Sequence, residues 1–247
     1  MDRFFIPGIS HQNRVQVDEH EARHMMRVLR MKAGDTVAAF DGTGVECLCR
    51  IAEADGRRLI VEVTERRHVS REPAVQVTLA IAAPKAKAMD LIVQKCTELG
   101  LARLAPFHST RSVARFDDDA KTDKWRRTAI EAAKQCGRNV LPEILEPQDS
   151  AQLGELIGGH DIGVVAALEQ PCQGLKQVLA GHSAARRIIY IIGPEGGFES
   201  DELGAIVKAG AVPVSLGRSV LRVETAAIAT LAMILFHYSD VENGKRS

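Results

Sequence analysis

Ile191-Ile192-Gly193-Pro194-Glu195-Gly196-Gly197-Phe198 carries the chain out of the apolar run Arg187–Ile192 and into a segment that reads as a helix start near Glu199–Glu202. The run does not alternate with polar residues, which is the pattern of a strand buried on both faces. A buried strand, a turn and a helix make the unit of an open α/β sheet, where ligands sit beyond the carboxyl ends of the strands. Gly193, Gly196 and Gly197 open backbone angles closed to other residues and leave main chain bare for a ligand to approach. Pro194 stiffens the turn. Glu195 speaks against phosphate at the helix start and suits a neutral or cationic ligand better. A tight connection without a ligand accounts for these residues equally well when they are taken alone.

A second segment has the same form. The strand Val212–Leu216 ends in Gly217-Arg218-Ser219-Val220-Leu221-Arg222-Val223-Glu224-Thr225 and enters an apolar helix. A helix cap with a surface ion pair explains one such loop, but not two glycine loops of the same form.

Outward from these loops, strands are expected at Val75–Ala82, Leu104–Phe107 and Ile162–Ala167, with helices at Ala86–Leu99, Thr122–Cys136, Gly174–Ala180, Ser200–Ala209 and Thr225–Tyr238. This alternation predicts an α/β fold with a parallel sheet covered on both faces. The final helix is apolar nearly all round and needs cover on every side. Ala226, Ala227, Ala229 and Ala232 permit close helix approach, which favours a subunit interface, although a core helix would share the composition.

The rhythm differs before Pro73. Arg3–Ile6, Thr36–Phe40, Val45–Ala52 and Leu59–Glu65 read as strands, the last three joined by Asp41-Gly42-Thr43-Gly44 and Asp55-Gly56. One helix is expected at Asp18–Met31, with Asp18 as N-cap and Gly34 beyond its end. Short strands with tight turns predict a small antiparallel sheet or barrel. The domains are therefore placed at 1–72 and 73–247.

Composition excludes several classes. The 247 residues are 45% apolar and 26% charged, as in soluble globular proteins. No stretch approaches the ~20 apolar residues that span a bilayer, and Met1–Ile9 lacks the layout of a secretory signal. A cytoplasmic protein without a membrane partner is expected. Cys47, Cys49, Cys96, Cys136 and Cys172 are odd in number and form no C-x-x-C pair, which points to free thiols. The 32 Lys and Arg balance 32 Asp and Glu overall, yet Ala80–Val140 holds 12 against 7, and Leu141 onward 8 against 13. A neutral whole can carry a basic face for phosphate, and an ordinary solvated surface fits as well.

His20-Glu21-Ala22-Arg23-His24 matches the zinc-protease pattern H-E-x-x-H, but on a short helix in a strand-rich domain, with no third ligand marked out. No metal is expected. There is no G-x-x-x-x-G-K-[ST] loop, and the first parallel strand runs into Ala83-Pro84-Lys85 instead of a dinucleotide-binding glycine turn.

Gly193-Pro194-Glu195-Gly196-Gly197, with Leu216-Gly217, Leu221-Arg222 and Glu224-Thr225-Ala226, resembles the SPOUT, or α/β-knot, methyltransferases. Within them the chain is similar to the family that methylates uridine N3 in 16S ribosomal RNA of the small subunit. The likeness runs the whole length. It includes His24-x3-Val28-Leu29-Arg30, Phe40-Asp41-Gly42-x-Gly44-x-Glu46, Lys95-x2-Glu98-Leu99-Gly100, Arg111-Ser112 and Trp125-x5-Glu131-x3-Gln135-x2-Arg138. Val223 departs from it, since the family pattern has Thr there, so the position is given no catalytic role.

The resemblance implies a PUA-like β-barrel that recognises RNA, a trefoil-knotted SPOUT domain, a homodimer and S-adenosylmethionine as cofactor. The cofactor would be cradled by Ala167 and Leu168, by Ile192, Gly193, Pro194, Glu195, Gly196 and Gly197, and by Leu216, Gly217, Leu221 and Thr225. For the chemistry, Arg222 is expected to stabilise negative charge on a uracil carbonyl, and Glu224 to accept the proton or position the base. Arg3, Arg30, Lys85, Lys87, Lys95, Arg111, Arg115 and Arg138 are the candidates for the RNA face. Two other readings stand beside this one: the same fold acting on transfer RNA or large-subunit RNA, and a non-catalytic RNA-binding assembly factor. Two glycine loops beside Arg-x-Glu-Thr speak against the second.

Overall fold

A computed structural model describes residues 1–56, 58–112, 119–167 and 171–239, with 119 and 120 as backbone only. Arg115 and Leu168, both expected in the site, lie outside the described residues. The chain divides into two compact units, Met1–Glu72 with Ile130–Leu141, and Pro73–Ala129 with Pro142–Ser247.

The first unit holds five strands, β1 (Arg3–Phe5), β2 (Arg14–Gln16), β3 (Thr36–Phe40), β4 (Val45–Ala54) and β5 (Leu59–His68), in the sheet order β1-β3-β4-β5-β2. β1 runs parallel to β3 and the other pairs are antiparallel. Phe4, Ile9, Val37, Ala39, Cys47, Cys49, Ile51 and Val61 fill its core, and burial pushes the Cys49 thiol up to about 12. β2 is three residues long with a single half-buried Val15, too short to show an alternation in the sequence.

Helix α1 (Glu19–Arg23) starts as expected, the Asp18 carboxylate accepting from the backbone N–H of His20 at 2.9 Å and of Glu21 at 3.0 Å. It does not run on to Met31. From His24 to Val28 the chain makes one π-helical turn that ends at Leu29. Ala22 and Met25 are buried, whereas Val28 is 68% exposed. The helix expected to reach Met31 is therefore cut short by the wider turn.

Ile130–Leu141, assigned from the sequence to the second domain, belongs with the first unit because its polar groups are held there. Lys134 Nζ lies 2.5 Å from Glu21 Oε1, each side chain at most 10% exposed. Glu21 is thus half of a buried ion pair, and this gives the H-E-x-x-H segment its structural explanation. The Arg138 guanidinium grips the Glu72 carboxylate, and Arg138 is 3% exposed. Asn139 donates to the Val69 carbonyl and accepts from Arg3, which also pairs with Glu46. Arg3 and Arg138 are therefore corrected from RNA candidates to internal ties, since a buried, paired guanidinium presents nothing to a phosphate.

The second unit is built on a seven-stranded sheet. Its strands are β6 (Gln76–Ala82), β7 (Arg103–Phe107), β8 (Glu143–Ile144), β9 (Ile162–Ala166), β10 (Gln173–Gly174), β11 (Arg187–Ile192) and β12 (Ala211–Ser215). The order is β10-β12-β9-β11-β6-β7-β8 and every pair is parallel. Helices are α2 (Ala86–Leu99), α3 (Asp119–Cys136), α4 (Ser150–Gly158), α5 (Leu175–Ala180), α6 (Ser200–Lys208) and α7 (Val223–Tyr238).

The two faces of β6 show how the sheet is covered. Val77, Leu79 and Ile81 pack with Met89 and Ile92 of α2, Trp125 of α3 and Leu231 of α7. Ala80 and Ala82 point the other way, into a cluster with Leu153 and Ile157 of α4 and Ile206 of α6. Burial on both faces is why these strands read as unbroken apolar runs. β9 lies between β11 and β12, so successive connections cross from one side of it to the other. No helix among the described residues is long and apolar enough to cross a membrane.

Candidate active site

Parallel pairing decides where the loops meet. Val214 of β12 stands opposite Ala166 of β9, and Ile191 of β11 opposite Val165. The three strands end at the same edge, and the segments after them leave it side by side. They begin at Leu216, Ala167 and Gly193 respectively. The turns expected to act together are thus neighbours, although up to about fifty residues separate them in the chain.

Each turn is shaped by its glycines. Gly197 has φ +72° and its N–H donates to the Pro194 carbonyl at 2.9 Å, closing the turn. Gly217 has φ +124° and exchanges contacts with the Ser215 hydroxyl, 3.3 Å from its N–H and 3.2 Å from its carbonyl. A Cβ on Gly197 or Gly217 would meet nothing within 4 Å, so both face open space where a ligand can press on bare main chain. Gly193 is different. A Cβ there would lie 2.7 Å from the ring of Phe198, which stacks on Phe107 with 6.3 Å between centroids.

Of the other expected cofactor residues, Ile192 and Pro194 are buried, Ala167 is half-buried, and Glu195 and Gly196 are exposed. Leu216 and Leu221 are half-buried and pack against the core beside α7. They give this end of the sheet an apolar surface. Arg222 is exposed and is the N-cap residue of α7, while Glu224 sits half-buried in that helix's first turn and Thr225 is exposed. The charged groups of Arg222 and Glu224 are thus carried by the helix start that follows the Leu216–Leu221 loop.

Charged residues from the neighbouring strands reach the same turn. Lys85, just past β6, places Nζ 3.2 Å from a carboxylate oxygen of Glu195. Both are exposed, so the pair contributes little to stability. Arg111, past β7, donates from Nη1 to the Gly196 carbonyl at 3.1 Å and has Nε 3.6 Å from Glu199. Lys87 is exposed, whereas Lys95 lies on both oxygens of Glu98, at 2.9 and 3.0 Å. Arg111, Lys95 and Lys85 thus have partners within the unit, and Lys87 is exposed with no ion pair among the described residues. Arg30 is exposed on the first unit.

A clamp beneath the turn was not foreseen from the sequence. Glu199 and Glu202 form a capping box at the start of α6, and Glu202 Oε1 accepts from the Thr110 backbone N–H at 2.7 Å. Burial alone would raise the Glu202 pKa. The backbone donors of Thr110 and Glu199, helped by the Ser109 and Thr110 hydroxyls, outweigh it and hold the carboxyl below its usual 4.5. The spacing of Glu199 and Glu202 was a legible capping signal; that Thr110 would be its second client was not.

A parallel α/β unit whose carboxyl strand ends carry two glycine turns, one of them leading into an Arg-x-Glu helix start, defines an α/β protein with its ligand site at that edge. The RNA methyltransferase domain family matches residues 71–235, and the RNA methyltransferase PUA domain matches residues 17–64. Ribosomal RNA small subunit methyltransferase E of Synechocystis is 32% identical over 87% of this chain and 70% of its own length. The Bacillus subtilis protein of that name is 29% identical over 96% of each chain. A putative methyltransferase from Legionella pneumophila, solved in complex with the cofactor SAM, superposes with a TM-score of 0.86 at 29% identity, covering 94% of this chain and 96% of the other. Ribosomal RNA small subunit methyltransferase E from Neisseria gonorrhoeae, bound to S-adenosyl methionine, gives 0.85 at 26% identity over 98% and 99%. The chain belongs to the RNA methyltransferase family with an N-terminal PUA-like domain, and within it to the small-subunit ribosomal RNA methyltransferase E family.

Proposed function

We propose that this protein methylates N3 of a uridine in 16S ribosomal RNA, using S-adenosylmethionine, as a cytoplasmic homodimer. In this reading, domain 1–72 recognises RNA and domain 73–247 carries the chemistry. The observation that carries it is the single sheet edge at which Gly193–Gly197, Leu216–Leu221 and the Arg222-x-Glu224 helix start converge. The open space at Gly197 and Gly217 and the apolar surface of Leu216 and Leu221 fit an adenosyl group held largely by backbone.

When bound, S-adenosylmethionine supplies an activated methyl group on a sulfonium. The chain's own task is to orient the acceptor and manage its proton. A uracil imide is a poor nucleophile until N3–H is lost. In this reading Arg222, exposed at the cap of α7, stabilises charge on a uracil carbonyl, and Glu224, two residues on, accepts the proton or fixes the base. Lys85, Lys87 and Arg30 supply exposed positive charge for the phosphates.

A dimer is supported by the outer face of α7. Phe236 is 81% exposed and Met233 39%, and Ala229 and Ala232 complete the same face. Covering one Phe side chain is worth about 1.5–3 kcal/mol, so an uncovered face of this kind favours a partner, here a second copy. The test of the whole reading is methyl transfer from labelled cofactor to 16S RNA, followed by mass mapping of the product. Label on uridine N3 supports it; label on another base, or on transfer RNA in preference, overturns the assigned substrate.

A further inference from the structure

Between the π-helical turn and Gly34, the first unit exposes a feature that its own core does not explain. Val28 is 68% exposed and Leu29 38%, while Ala22 and Met25 already fill the core side of the same helix. The turn is closed by two local backbone bonds, from Leu29 N–H to the His24 carbonyl at 3.2 Å and from Met31 N–H to the Met25 carbonyl at 3.0 Å. Closure requires Arg30 to take φ +57°, and it is the only non-glycine residue at positive φ among the described residues. Glycine is the favoured residue where a helix ends in this conformation. The chain instead keeps a guanidinium in a strained backbone position, a combination that clusters at functional sites, as do π turns.

The exposed charge of the segment is mostly cationic, with the Asp35 carboxylate held on the Lys32 backbone N–H at 2.8 Å. Arg23, earlier on the helix, is neutralised by Glu19 at 2.6 Å. Arg27, Arg30 and Lys32 are exposed or nearly so, and no carboxylate among the described residues pairs with their side chains. Two exposed aliphatic side chains framed by three unpaired cations complement a polyanion with bare apolar faces. Double-stranded RNA does not offer such faces at its surface, whereas unstacked bases in a loop do.

We infer that Arg27–Lys32 is the RNA-reading element of the first unit, with Val28 and Leu29 packed on unstacked bases and Arg27, Arg30 and Lys32 on the flanking phosphates. This deepens the RNA-methyltransferase reading and rests on it. Arg30→Gly separates the contact from folding, because glycine relieves the strained φ. The variant is expected to keep or raise the wild-type Tm and to leave kcat at saturating RNA within about twofold, while KM for RNA rises about tenfold, as for one lost charge-assisted contact. The salt dependence of RNA affinity should fall by about one ion. Val28→Ser should raise KM without changing that salt dependence. Both variants are assayed as full chains with labelled cofactor, on unmodified small ribosomal subunits and on the RNA extracted from them, with sedimentation alongside. Unchanged KM in both variants beside an active wild type overturns this assignment alone. A Val28→Ser chain of altered mass with unchanged KM overturns it in favour of a protein contact. Absence of transfer by the wild type to either substrate overturns the parent reading, and this one with it.

Discussion

Gly193→Ala tests whether the cofactor turn depends on the close approach of the Phe198 ring to bare backbone. The added Cβ would lie 2.7 Å from one ring carbon and 3.0 Å from two more. Carbon atoms rest at about 3.5–4.0 Å, so the methyl group falls short by roughly 1 Å. Phe198 cannot swing away freely, because its ring stacks on Phe107, which is 3% exposed. Gly193 is not among the glycines at positive φ, so the conflict is with space and not with backbone angle. Over-packing of this kind costs about 1–3 kcal/mol. If the turn yields, that cost appears in ligand binding as about a fivefold to hundredfold weaker Kd for S-adenosylmethionine; if Phe198 yields, it appears as a lowered Tm. Calorimetric titration and thermal unfolding read the two outcomes. Phe198→Leu in the same chain should recover part of the loss, since it removes the ring edge. Gly196→Ala should be much milder, because its nearest neighbour is the Arg111 side chain at 3.4 Å. Wild-type Kd and Tm in Gly193→Ala would refute the argument, as would an equal loss in Gly196→Ala.

Three further outcomes are expected. Arg222→Ala and Glu224→Ala should each lower kcat about a hundredfold, the range of one electrostatic or proton-transfer group, with cofactor affinity kept; single-turnover methyl transfer and calorimetry check this, and near-normal turnover removes the roles assigned to them. Phe236→Glu should shift the sedimenting species from dimer to monomer without lowering the stability of the dilute monomer by more than about 0.5 kcal/mol, as for other exposed sites; an unchanged dimer places the interface elsewhere. Glu202 titrates below its usual 4.5 when folded, so its contribution is present above that pH and is lost as pH falls through the lower folded value. The Tm difference between wild type and Glu202→Gln should therefore shrink from pH 6 towards about pH 3, and a constant difference would show that Glu202 does not act through its charge.

The sequence carried the α/β alternation because strands buried on both faces leave unbroken apolar runs, and Arg187–Ile192 and Ala86–Leu99 were bounded to the residue by the turns and caps around them. It also carried the two glycine turns, since a turn that needs bare backbone declares itself locally. It did not carry β2 or β10, which are three and two residues long, nor the π-helical turn that breaks off the helix expected to run to Met31.

Long-range partners were legible least of all. Arg138 and Arg3 share the residue type of a phosphate contact, and only the fold reveals that Glu72 and Glu46 already hold them. The sequence set the H-E-x-x-H match aside without saying what Glu21 does, and only the fold brings Lys134, 113 residues on, against it. Local pattern records what one residue asks of its neighbours along the chain. Which side of a parallel sheet the loops leave by, and which charges are consumed on the way, is fixed by pairing between distant strands, and only the tertiary structure decided it.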